Sequence, residues 1–369
     1  MKTILKIGVS VIFFALTACQ KSDLGEDQNL PILEKSASFK TSFEVESETL
    51  QAQLISENNL NPIHDHASVV FKDKIWVIGG HKNGKASNTI LNSSDGVKWN
   101  TVKTRSVFYP RRGHSAVVFK NKIWVIGGTP NHNYGKHVND MSFYNEVWSS
   151  SDGIEWEMMH QTWQGGYLQS RMDFGATVFK DEIWVFGGFS DNPTFSKAVQ
   201  KSSDGINWQN VDANISCHDL IGNQAMVFDN KLWLIGGYTH LAWDDDIVIA
   251  STSDGLNWEK YNTGIPKYIQ HQLVTDNKKM YLLAGDYVAP NTSGYGTPSN
   301  HILYSDDGNN WSKAKASLNF PERARHSSVY FKNKFWIIGG SNNDNSTGLS
   351  DVWTLTPIDP YTIDDLTFD

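Results

Sequence analysis

Cysteine is almost missing from this chain: Cys19 and Cys217 are the only two in 369 residues. A disulfide framework is therefore excluded, and the fold must be held by its core. Long apolar runs are missing too. The ten residues Ile7 to Leu16 are too few to span a bilayer as a helix, and no other run reaches membrane length. Positive charge is in short supply. With 32 Lys and Arg against 40 Asp and Glu, the formal charge is −8, and the absence of any basic run argues against nucleic acid as a partner. No Gly-rich phosphate cradle opens a helix, and there is no G-x-S-x-G elbow. No helical period appears, which excludes a solenoid of stacked helices.

The N-terminus has Lys2 and Lys6, the apolar stretch, and then Leu16-Thr17-Ala18-Cys19. This has the form of a secretory signal, and the last four residues resemble the lipobox of bacterial lipoproteins. The resemblance implies a signal peptide over 1–18 and lipidation at Cys19. The polar segment "QKSDLGEDQN" then begins a flexible tether over 19–47 and resembles a surface-export signal. The implied location is the outer membrane, lipid-anchored.

What the chain has in abundance is repetition. "DHASVVFKDKIWVIGG" (65–80) returns as "GHSAVVFKNKIWVIGG" (113–128). Six copies are anchored by Gly79-Gly80, Gly127-Gly128, Gly187-Gly188, Gly236-Gly237, the degenerate Ala284-Gly285, and Gly339-Gly340, roughly 48 to 60 residues apart. The first five are followed by "SSDGVKW", "SSDGIEW", "SSDGINW", "TSDGLNW" and "SDDGNNW". Each copy predicts four short strands. Strand A ("HSAVVF") starts on small residues. Strand B ("KIWVIGG") is apolar on both faces and so is covered on both. Strand C runs into an Asp-Gly turn of the hairpin kind, and strand D begins near the tryptophan. Such units are blades of an all-β, six-bladed β-propeller with four-stranded antiparallel blades. The sixth copy lacks the Asp-Gly-Trp unit. Backward alignment places Gln51–Ile55 where its outer strand belongs, so an N-terminal strand is expected to close the ring. The propeller then covers 48–357, with a tail over 358–369.

Arg111-x-x-His114 and Arg323-x-x-His326 before strand A, the glycine pair and the later Trp are the unit of the kelch repeat. The chain resembles kelch-type propellers, which include a sialic-acid mutarotase, copper-dependent galactose oxidase and many protein-binding modules. Other propellers host polysaccharide lyases acting on uronic acids. Lone Cys217 does not fit the Cys-Tyr crosslink of galactose oxidase, and no cofactor is implied.

A residue repeated in every blade is scaffold, because a single site cannot use it six times. Twelve of the fourteen Trp follow the repeat; Trp163 and Trp243 do not. Thirteen residues before the glycine pairs stand His66, His114, Phe174, Asn223, His271 and His326, a column expected to be structural. Seven of the eight other histidines fall in B–C or D–A connections, which share one face; His160 is the exception. The opposite face carries short, uniform turns. Function is expected on the varied face.

There, His132 or His137 is the candidate base, and Tyr134 or Tyr167 the candidate acid. Arg112, Arg171 and Arg325 are candidates to hold a carboxylate. Trp163, Trp243, Tyr238 and His240 are candidates to bind a sugar. His64 and His66 could form part of a metal site, though a third ligand is wanting, and no metal is expected. Asp140, Glu146, Asp244, Asp245, Asp246 and Asp286 could supply a hydrolytic carboxylate pair. The excess of His, Tyr and Arg over paired acids favours β-elimination from uronic-acid-containing oligosaccharides. The expected partner is thus an oligosaccharide or polysaccharide bound by a monomer. The alternatives are a non-catalytic glycan- or protein-binding propeller and a sugar mutarotase.

Overall fold

The first four repeats each fold into a small antiparallel sheet of the order A–B–C–D, as the alternation of apolar runs and turns demands, and the last two sheets have five strands. In blade 2 these strands are Ser115–Phe119, Lys122–Ile126, Val147–Ser150 and Glu157–Met159. The computed structural model describes residues 48–57, 60–130, 142–159, 166–190, 199–215, 220–238, 248–289, 296–342 and 348–358. Among them there is no helix. The inner A strands touch in succession around the molecule, and the sixth touches the first, so the six sheets form a β-propeller.

There is no single core. Six apolar clusters are each sandwiched between two neighbouring blades, the last joining blade 6 (Phe331, Trp336, Ile338) to blade 1 (Ile63, Ile75, Val77). Because strand B is covered on both sides, its side chains are apolar without alternation. A strand B Trp fills five of the six gaps, and its Nε1 donates to the Phe carbonyl at the end of strand A, as in Trp76 to Phe71 at 2.9 Å and Trp124 to Phe119 at 2.9 Å. The indole is thereby buried with its polar atom satisfied.

The Asp-Gly unit joins strands C and D as an antiparallel hairpin. It is a six-residue connection between strands C and D, with Ile90–Ser93 and Asn100–Thr101 in blade 1. There Asp95 Oδ1 accepts from the Val97 and Lys98 amides, and Ser93 Oγ accepts from the Gly96 amide at 2.7 Å. The Trp99 indole donates to the Gly96 carbonyl at 3.0 Å. These amide bonds hold the Asp95 carboxyl below its ordinary range. The glycine is required by a neighbour: a Cβ on Gly153 would lie 2.2 Å from the Trp76 ring of the preceding blade. The same glycine-on-tryptophan contact recurs at four further junctions, Gly205 on Trp124, Gly255 on Trp184, Gly308 on Trp233 and Gly96 on Trp336.

The sixth junction differs. Strand B of blade 5 has Tyr281 in place of Trp, and blade 6 has no Asp-Gly turn to set against it. The outer strand of blade 6 is Thr49–Ser56, antiparallel to Val352–Pro357, with Gln51 opposite Thr356 and Gln53 opposite Thr354. Glu48, just before that strand, accepts hydrogen bonds from the Tyr281 hydroxyl and Lys279 Nζ. Leu50 and Ala52 fill the gap between blades 5 and 6. The two departures from the repeat therefore answer each other.

The axial mouth as candidate functional site

The face that carries the B–C and D–A connections narrows at the propeller axis to a ring of six residues. Each immediately precedes the histidine-column position of its blade. They are Asp65, Gly113, Asp173, Gly222, Gln270 and Arg325. Each donates its amide to the carbonyl of the preceding member, and Asp65 donates to Arg325, so six hydrogen bonds of 2.8–3.1 Å close a circle. All six have positive φ, from 53° to 72°. Glycine suits that conformation, and two blades use it. Asp65, Asp173, Gln270 and Arg325 keep side chains there against a cost on the order of 1–2 kcal/mol for an L-residue. Retained strain of this kind points to a site. The two glycines also make room: a Cβ on Gly113 would lie 2.6 Å from Asp173 Oδ1. Over Gly222 the Gln270 side chain reaches across to bond Asp173.

Around this ring the ends of strands A and B pair once more, one pair per blade. Two of these pairs are polar, His64 with His81 and Arg112 with Thr129, and Ala324 pairs with Ser341. In blade 5 Ile269 pairs with Asp286. Blades 3 and 4 contribute Met172 with Phe189 and Ile221 with Tyr238. The mouth is accordingly charged on one side and apolar to aromatic on the other.

Asp65 is the electrostatic centre. Its Oδ2 lies 3.1 Å from His64 Nδ1 and 3.0 Å from Arg112 Nη1, and its Oδ1 lies 3.8 Å from Arg325 Nε. Burial opposes its ionisation, but His64, Arg112 and Arg325 hold its carboxyl well below the usual range. Asp173 is its opposite: burial and the Asp65 charge push its carboxyl up to about 7 against the two arginines. Burial likewise pushes Asp286 up to about 6, although Arg325 Nη1 stands 3.5 Å away. Two carboxyls pushed up toward neutrality thus lie near two guanidinium groups, an arrangement suited to proton transfer.

Of the sequence candidates, the structure brings Arg112, Arg325 and the Tyr238 backbone to this mouth. Arg171 is a correction. It is fully buried, donates to the Gly187 carbonyl at 2.9 Å and is held by Gln169 and Gln200. Arg111 and Arg323 make the same bond to Gly127 and Gly339, so Arg171 is the third scaffold arginine. Glu146 is scaffold as well, paired with Arg111 at 2.9 Å. Tyr167 is exposed, and its carbonyl accepts from Gln200. His64 and His66 do not converge on a common metal position: His64 bonds Asp65 and His81, whereas His66 Nε2 meets Ser327 Oγ of blade 6 at 2.7 Å. Among the described residues no group of three or more His, Cys, Asp or Glu is set to hold a metal. His132, Tyr134, His137, Trp163, His240, Trp243 and Cys19 lie outside the described residues.

The histidine column is packed against the glycine pairs. A Cβ on Gly79 would meet the His114 ring at 2.6 Å, and one on Gly80 the His66 Cβ at 2.6 Å. Burial pushes His66, His114 and His271 down to about 3, so they sit neutral in the scaffold. Sequence reasoning missed Asp65 and Asp173 as site residues. The available signal was a position that every repeat possesses and no two neighbouring repeats fill alike.

A model of the KLHDC2/KLHL20/DRC7 Kelch-repeats domain matches residues 34–188. That span ends at the glycine pair of blade 3, and the same Gly-Gly and Trp unit continues through the three remaining blades, with its variants in blade 5. The matched span and the six-bladed arrangement together support a kelch-repeat β-propeller.

Proposed function

We propose that the axial mouth takes an anionic carbohydrate and that the chain catalyses β-elimination on a uronic-acid-containing oligosaccharide. The observation that carries this reading is the division of the mouth into a charged side and an apolar, aromatic side. A uronic acid ring has the same division, with carboxylate and hydroxyls at its edge and C–H bonds on its faces. Elimination removes the proton α to the carboxylate and expels the oxygen on the β carbon. It needs cations on the carboxylate, a base for the proton and an acid for the departing oxygen. Arg325 and Arg112 suit the first role, because a guanidinium holds a carboxylate by two parallel bonds. Asp173, pushed up to about 7, suits proton exchange near neutrality. His132, Tyr134, His137, Trp163, His240 and Trp243, which the sequence assigns to B–C and D–A connections, belong to the proposal as further acid–base and stacking groups. Lipidation at Cys19 and residence at the outer membrane complete it; Cys19→Ser should release the protein from the membrane fraction.

The test is a screen of the purified protein against anionic and neutral oligosaccharides. Ultraviolet absorbance of an unsaturated uronic acid is the expected result, lost in Arg325→Met and Asp173→Ala. New reducing ends without that absorbance would mean hydrolysis. Binding without turnover would assign the mouth to a non-catalytic receptor.

A further inference from the structure

We propose that His301, at the mouth end of the gap between blades 4 and 5, is a second carboxylate-binding point for the glycan and donates a hydrogen bond from Nε2. This deepens the proposed function and rests on it for the uronic acid; it makes the ligand an oligosaccharide with more than one carboxylate. Tyr268 directly precedes Ile269, which pairs with Asp286 at the mouth, and Tyr287 directly follows Asp286. Tyr268 lies in the apolar cluster between blades 4 and 5, and Tyr287 packs against that cluster. The His301 ring centroid is 5.9 Å from that of Tyr268 and 5.3 Å from that of Tyr287, edge-on in both cases. His301 and Tyr287 are partly exposed, whereas Tyr268 is buried.

The other blades show what this pair replaces. Tyr268 stands three residues before His271, where blades 2 and 6 have the scaffold arginines Arg111 and Arg323. His301 stands two residues before Leu303, where those blades have Glu146 before Trp148 and Asp351 before Trp353. There every group is engaged. Glu146 accepts from Arg111 and from the Trp148 indole at 2.9 Å each, and Asp351 accepts from Arg323 at 2.8 Å and from the Trp353 indole at 2.7 Å. In blade 5 the arginine, the carboxylate and the indole are all replaced. One bond takes their place, between the Tyr268 hydroxyl and His301 Nδ1 at 2.7 Å. Among the described residues no hydrogen bond involves His301 Nε2. The blade uses one ring nitrogen, and the other is left over.

Elementary acidity fixes what Nε2 offers. The phenol is the stronger acid of the pair and the imidazole nitrogen the stronger base, so Tyr268 donates and Nδ1 accepts. Burial pushes the Tyr268 hydroxyl up, so it keeps its proton. Burial and the Lys313 ammonium push His301 below its ordinary value, so the ring is neutral. A neutral ring that accepts at Nδ1 carries its one hydrogen on Nε2 and can only donate there. Its ligand partner is therefore an oxygen acceptor. Lys313 decides which kind: the charge acting on this ring is positive, and that favours a carboxylate over a hydroxyl. The Tyr287 ring beside it suits the C–H face of the same sugar. His301 is thus a binding group, and Tyr268 is the positioning residue that sets its tautomer.

Long-range nitrogen–proton NMR on the full chain with isotope-labelled histidine reads the tautomer, and His301→Leu assigns the signal. A lone pair on Nδ1 and a hydrogen on Nε2 are expected; a hydrogen on Nδ1 would overturn the proposal. Tyr268→Phe should redistribute the tautomers, and an unchanged tautomer there would overturn its positioning role. A uronic acid tetrasaccharide added to Asp173→Ala, the variant expected to leave the glycan intact, should move the Nε2 signal. A neutral tetrasaccharide of the same length should not, and an equal response to it would overturn the carboxylate assignment. By calorimetry, His301→Leu should weaken binding of the acidic tetrasaccharide about tenfold or more. An Nε2 signal that stays still while the acidic tetrasaccharide binds, or unchanged affinity in a folded His301→Leu variant, would sink the subsite and leave the elimination reading standing. If Nε2 responds but the wild type forms no unsaturated uronic acid, the subsite stands and the elimination reading fails. A tetrasaccharide that neither binds nor turns over would overturn both.

Discussion

The C–D turns and the axial mouth are both rings assembled from one position per blade, and they use repetition in opposite ways. In the turns, five blades present the same hydroxyl residue (Ser, or Thr252 in blade 4), Asp, Gly and Trp, each glycine seated on the tryptophan of the blade before. At the mouth, six equivalent backbone positions carry two aspartates, two glycines, a glutamine and an arginine. The turns lie over the gaps between blades, where five of the six gaps have the same shape and the same solution serves each time. The mouth lies where all blades meet, so its six positions stand in one hydrogen-bonded circle. Identical residues there would set like charges together or leave no charge at all. The turns hold the blades in register, and the mouth is left to carry chemistry.

Breaking the uniform ring should cost the most. Trp124→Ala removes the indole buried between blades 2 and 3 and should destabilise by about 3–5 kcal/mol in denaturant unfolding. Gly153→Ala forces a methyl to within 2.2 Å of Trp76 at a φ of +77°, and should cost about 2–4 kcal/mol from crowding and backbone strain together. A smaller effect of opposite sign is expected at the mouth. Gln270→Gly relieves a φ of +55° and should raise stability by about 0.5–1 kcal/mol while weakening ligand binding. A loss of stability there would mean that the Gln270–Asp173 bond outweighs the strain. Finest of all is a difference in pH slope. The Asp173 carboxyl, about 7 when folded against an ordinary value of 3.8, binds more protons in the native state over that interval. Its contribution is therefore present at low pH and lost as pH rises through 7. Asp173→Asn should flatten that slope, gaining on the wild type at pH 8 relative to pH 4 by urea midpoint. An unchanged slope would remove Asp173 from the set of mouth groups that titrate near neutrality.

The architecture was largely legible because its signals are local. Strand B reads as apolar on both faces because a sheet covers it on both, and the glycine pair and Trp recur at the period of the blade. The site was less legible. Adjacent Arg111 and Arg112 look alike in sequence, yet one is bound to its own blade's Gly127 carbonyl and the other to Asp65 across the mouth. Arg171 failed as a candidate for the same reason: its R-x-x-F setting hides that it is the scaffold arginine of blade 3.

By itself the sequence determined the repeat, the strand alternation and the residues that each blade needs, since these depend on neighbours within a few positions. Only the tertiary structure decided which of the remaining residues meet. Asp65, Asp173 and Arg325 are far apart in the chain and come together because six blades turn their strand A starts toward one axis. Glu48 meets Tyr281 for the same reason, since closing the circle brings the N-terminal strand onto the last blade. Such contacts have no local pattern: the geometry of the ring makes them, and it exists only once all six blades are in place.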